Sequence, residues 1–116
     1  MRVRGTVAVL LLGLVGAAGL ALAKDAQPDG RMLFREYCKP CHGPDSANGE
    51  YTPMTLIQEQ WQRFFDEKYV PTHKGVVDEN HDGKAVTDVI TPEMLKQIEK
   101  FAIDHAADSE HPMTCG

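Results

Sequence analysis

The residues best equipped for chemistry lie in "FREYCKPCHGPD" (34–45), where two cysteines stand three positions apart and a histidine follows the second. Three chemistries use such a set: a redox disulfide, half of a zinc site, or covalent attachment of haem. A thioredoxin-type pair needs a strand leading into it and a sheet around it, and strand signals are nearly absent from this chain. A zinc site needs four ligands. Cys38 and Cys41 with two of His42, His111 and Cys115 would reach that number only without a second closely spaced pair. Haem attachment takes one thiol per vinyl group and an imidazole beside the second thiol, and Cys38-Lys39-Pro40-Cys41-His42 supplies that set. The pattern therefore points to one haem c, with Cys38 and Cys41 as thioethers and His42 as the proximal iron ligand. Cys115 is then left over.

Three helical segments have to position these residues. The first is expected from about Gly30 to Cys38, capped by Asp29, with Leu33, Phe34 and Tyr37 on one face. The second opens at Thr55-Leu56-Ile57-Gln58 as a capping box, and Leu56, Ile57, Trp61, Phe64 and Phe65 make its apolar stripe. The third begins at Thr91-Pro92-Glu93 and carries Leu95, Ile98, Phe101, Ala102 and His105 at spacings of three and four, fading near Asp108. Between the last two lies a connection of about twenty residues, long enough in a compact domain to be functional. Within it, "DENHDGK" (78–84) reads like the first half of a calcium loop. Position twelve is Val89 where a glutamate belongs, and turn chemistry accounts for the pattern without an ion.

The start of the chain has the layout of a secretory signal peptide. Arg2 and Arg4 precede an apolar run from Val7 to Leu22, and "ALA" at 21–23 precedes Lys24. The expected organisation is a signal peptide over 1–23 and one small domain over 24–116, with no stable membrane insertion after cleavage. Removing the two arginines moves the formal charge from −5 to about −7. That balance argues against nucleic acid and for a basic docking partner.

"GRMLFREYCKPCHG" (30–43) resembles the N-terminal helix and haem motif of class I (monohaem) cytochromes c. The likeness is specific over these residues and covers most of the rest in layout only. It implies a small all-α domain of three main helices around one covalently bound haem, with a long loop before the last helix, which crosses the first. In that family a small residue on the first helix allows the close crossing, a part that falls here to Gly30, with Phe34 against Ile98 and Phe101. A downstream proline carbonyl would orient the proximal imidazole, and Pro53 fits that role better than Pro44. The chain departs from the family in its distal ligand, because the loop from Tyr69 to Ile90 contains no methionine. His73 takes that place, with Met94 and His81 as alternatives. Trp61 is either core or a propionate contact through its indole N–H.

The function implied is an exported electron carrier, in the periplasm of a Gram-negative bacterium, serving redox proteins with basic docking surfaces. No nucleophile or acid–base pair is indicated, so the chain is not read as an enzyme. Two alternatives stand beside it: a haem-based module binding or sensing a small ligand at an open sixth site, and a structural zinc domain.

Overall fold

The computed structural model describes residues 29–114. The expected signal peptide and its cleavage point, and Cys115, lie outside the described residues. What is described is mostly helical. Helix α1 (Gly30–Leu33) runs through a π-helical turn (Phe34–Cys38) into α2 (Lys39–His42), so the first segment carries both cysteines and ends on the histidine. The Asp29 side chain caps it by accepting from the Arg31 amide at 2.7 Å. Helix α3 (Gln58–Arg63) likewise passes through a π-helical turn (Phe64–Lys68) into α4 (Tyr69–Thr72). The capping box anticipated at Thr55 sits elsewhere. Gln60 accepts from the Ile57 amide at 3.1 Å and starts α3, whereas Thr55 accepts from the Thr52 amide at 2.8 Å in a separate 3-10 turn, Pro53–Thr55.

The connection after α4 is not featureless. It holds strands β1 (Val77–Asp78) and β2 (Lys84–Ala85), paired antiparallel as Val77 with Ala85 and Asp78 with Lys84. Helix α5 (Val86–Val89) follows, and its Val86 joins Ile90 in the core. Asp82 and Gly83 both take left-handed backbone (φ 62° and 64°) to close the turn. Two-residue strands carry almost no periodic signal, so the sequence could not announce them.

Helix α6 (Pro92–Asp104) is the spine, with Thr91 accepting from the Met94 amide at 3.2 Å as its cap and Pro92 at its first position. One of its flanks packs on α1 and another on α3. On the α1 side Leu33, Phe34, Ile98 and Phe101 form one cluster with Val86 and Ile90. On the α3 side Trp61 closes over Ala102 and Ala106. Gly30 makes the first crossing possible. A Cβ there would lie 2.8 Å from the Phe101 Cβ and 2.9 Å from the Gln97 carbonyl carbon, and closer still to that carbonyl's oxygen. Among the described residues no helix is long and apolar enough to cross a membrane.

Candidate functional site

The π-helical turn and α2 place the thiols and His42 beside the tight loop that follows. Ser46 Oγ–H and Asn48 Nδ2–H (3.3 Å) both donate to the Cys41 carbonyl, and the Tyr51 amide donates to the His42 carbonyl at 3.0 Å. Gly49, with φ +87°, turns the chain so that its own carbonyl lies 3.1 Å from His42 Nδ1. A carbonyl only accepts, so the His42 Nδ1–H donates to it and Nε2 is left out of this bond. The carbonyl expected to orient this ring was that of Pro53. It is taken instead by the indole N–H of Trp61 at 2.7 Å. That bond also removes Trp61 from the candidate site: the ring is 3 % exposed, stacked on Phe65, and its donor is committed to backbone.

His73, at the end of α4, faces His42 with ring centroids 6.2 Å apart and planes at 79°. Its Nδ1–H donates to the Tyr69 carbonyl at 2.7 Å, which leaves Nε2 out of that bond too. Tyr51 meets the edge of His42 at 5.1 Å, and Tyr69 lies against His73 at 4.7 Å. The Tyr69 hydroxyl is buried with no hydrogen-bond partner among the described residues. Burial and the neighbouring Cys38 thiol push its pKa up to about 12. The Cys38 thiol is itself pushed up to about 12, first by desolvation and then by Cys41. His42 and His73 thus face each other, with Tyr51 and Tyr69 against their rings and the Cys38 thiol beside Tyr69. Sequence reasoning missed Tyr51, Tyr69 and the Gly49 carbonyl. Nothing in their spacing marks them, since loop folding brings them in.

The other expected ligands lie elsewhere. His81 sits between carboxylates, with Nδ1 2.8 Å from Asp78 Oδ2 and Nε2 3.7 Å from Glu36 Oε1, and its ring stacks on Tyr37 at 4.7 Å. Met94 packs against the cluster of Leu33, Phe34 and Ile98. His105, read from the sequence as part of the α6 stripe and not as a ligand, donates its Nδ1–H to the His111 carbonyl at 2.7 Å. Among the described residues no group of three or more His, Cys, Asp or Glu side chains is arranged to hold a metal ion.

No protein-family model matches the chain, and no solved structure matches it. Curated relatives do. The ATP-dependent Clp protease adapter proteins ClpS of Salmonella arizonae and of Escherichia fergusonii are each 28 % identical to it over 69 residues, covering 60 % of this chain and 65 % of theirs. The chain therefore spans just under two thirds of the length of these relatives.

This likeness corrects the functional expectations drawn from the cysteine motif. The relatives are described as protease adapters, not as electron carriers, haem sensors or zinc domains, so the electron-carrier reading and its two alternatives are set aside. The one haem c goes with them, as do haem-iron binding and electron transport. Redox proteins with basic docking surfaces are likewise withdrawn as the implied partners. Export to a periplasm is withdrawn with the electron-carrier reading it served, since the relatives are described as adapters of an ATP-dependent protease. The relatives are described as adapters of a protease, a description that agrees with the expectation that the chain is not an enzyme.

Proposed function

We propose that this chain is a small non-catalytic binding module of the adapter kind, which holds a protein partner for an ATP-dependent Clp protease. The observation that carries the reading is the likeness over 69 residues to proteins described as adapters of that protease. The geometry around the cysteines supports binding over turnover. A catalytic histidine is commonly oriented by a carboxylate that steadies its charged form. His42 and His73 are oriented by neutral carbonyls, those of Gly49 and Tyr69. The histidine that does have a carboxylate on Nδ1, His81, turns its Nε2 toward Glu36 and not toward a hydroxyl or thiol.

Cys38, Cys41, His42 and His73 are proposed as the functional site of the module. Next to His73 in the chain, Val70, Val76 and Val77 leave apolar side chains in solvent. Covering such groups favours association. The direct test is degradation of a labelled substrate by purified Clp protease with and without the chain. A change in rate or substrate choice that His73→Ala weakens is expected; no effect at saturating chain concentration overturns the proposal.

A second proposal concerns layout alone: the helices are arranged as in class I cytochromes c. The observation favouring it is the crossing of α1 on α6 at Gly30, with Phe34 and Phe101 rings 5.6 Å apart. A solved structure whose first and last helices do not cross at Gly30 would end it.

A further inference from the structure

We propose that Cys38 and Cys41 form a reversible disulfide with a low-molecular-weight disulfide as oxidant, and that closing it displaces His42. Both sulfurs are free thiols, and they stand on successive turns of one helical segment. Residues three apart on a helix have Cα atoms about 5 Å apart, inside the span a disulfide bridges. Their Cβ atoms, however, are about 5–6 Å apart, and a disulfide needs roughly 3.5–4.5 Å. The bond therefore closes only if the segment gives by about 1 Å at one end.

The end that can give is α2. It is four residues long, it holds Pro40, whose nitrogen has no hydrogen to donate, and Gly43 leaves it in extended backbone. The Cys38 end is fixed, because the π-helical turn is anchored by Phe34 in the core. Movement of Cys41 then carries its neighbour His42 with it, against the Gly49 carbonyl at 3.1 Å and the His73 ring. The redox state of the pair would thereby set the geometry of the imidazole cluster.

The chemistry balances without a metal. The Cys41 thiolate attacks one sulfur of the small disulfide, forming a mixed disulfide and releasing one small thiolate. Cys38 then loses its proton and attacks the Cys41 sulfur. The intramolecular S–S bond forms and the second small thiolate leaves. Two protein thiols are oxidised, one small disulfide is reduced to two thiols, and the protons lost from the cysteines end on those thiols. Cys41 acts first because it rides on the short α2, whereas Cys38 packs against the core cluster of Leu33 and Phe34.

The test equilibrates the full chain in glutathione buffers of graded ratio, traps free thiols by alkylation and maps the tryptic fragments. Lys39 precedes Pro40, where trypsin does not cut, so both sulfurs stay on one fragment, Glu36–Arg63. The expected result is that this fragment loses both alkylation sites together and returns them on reduction. The His42 ring proton resonances should shift in the same titration. In Cys38→Ser the exchange should halt at Cys41 carrying one glutathione. Independent alkylation of the two sulfurs at every ratio overturns the proposal. So does a reduced fragment that accepts no alkylation because its sulfurs hold another covalent partner. Coupled oxidation with unmoved His42 signals refutes the displacement. Each of these outcomes is read without Clp protease, so it is separate from the fate of the adapter reading.

Discussion

Replacing Gly30 by alanine tests the close crossing of α1 on α6. The added methyl would stand 2.8 Å from the Phe101 Cβ and 2.9 Å from the Gln97 carbonyl carbon. Carbon atoms rest at about 3.5–4.0 Å, so the two helices must part by roughly 1 Å. A gap of about 0.5–1 Å already forfeits a quarter to a half of each dispersion contact along the seam. Overpacking of this kind costs about 1–3 kcal/mol. Against it stands the helical preference of alanine over glycine, up to about 1 kcal/mol and smaller at the first helical position. The net expectation is a loss of about 1–2 kcal/mol, which for a domain of this size lowers Tm by roughly 4–16 °C. Urea unfolding followed by far-ultraviolet circular dichroism measures it. A Gly30→Ala protein within about 0.5 kcal/mol of the parent would refute the crossing.

Further expectations concern buried polar groups. Trp61→Phe strands the Pro53 carbonyl and should cost about 1–3 kcal/mol in urea unfolding. Tyr69→Phe removes a hydroxyl that has no partner among the described residues, so stability should hold or rise; a clear loss would show that the phenol is bonded after all. His81→Ala takes a donor from the buried Asp78 carboxylate, and hydrogen exchange at the Gly83 and Val86 amides should accelerate. Alkaline stability follows from Cys38 and Tyr69, whose folded pKa values are raised to about 12 from ordinary values of 9.0 and 10.0. Such groups keep their protons longer when folded. Their contribution is complete below about pH 9 and is lost as pH climbs toward 12, so Tm should fall across that window.

Sequence periodicity was a good guide wherever an element is long enough to repeat. The α6 stripe of Ile98, Phe101 and Ala102, the Thr91 cap and the Asp29 cap were all legible, because each rests on contacts within a few residues. The two-residue strands were not, and neither was the start of α3. There Thr52 offered Thr55 an equally local partner, and the choice between them depends on how the chain turns at Pro53. The orientation of His42 was misassigned for a related reason. Pro53 and Gly49 both bring carbonyls close, and tertiary packing of Trp61 decides which one remains for the imidazole. Motif chemistry was the least transferable part. The spacing of Cys38, Cys41 and His42 is compatible with several chemistries, and the likeness to protease adapters gives it a different context from the one the spacing alone suggested.

The central proposal is that this chain binds Clp protease as an adapter does. A titration of the fluorescently labelled, purified chain into Clp protease, followed by anisotropy, addresses it most directly. Saturable binding by a colourless protein is the predicted result. A flat titration, from a protein whose Cys38 and Cys41 sulfurs are found joined to a visible pigment, would contradict the account.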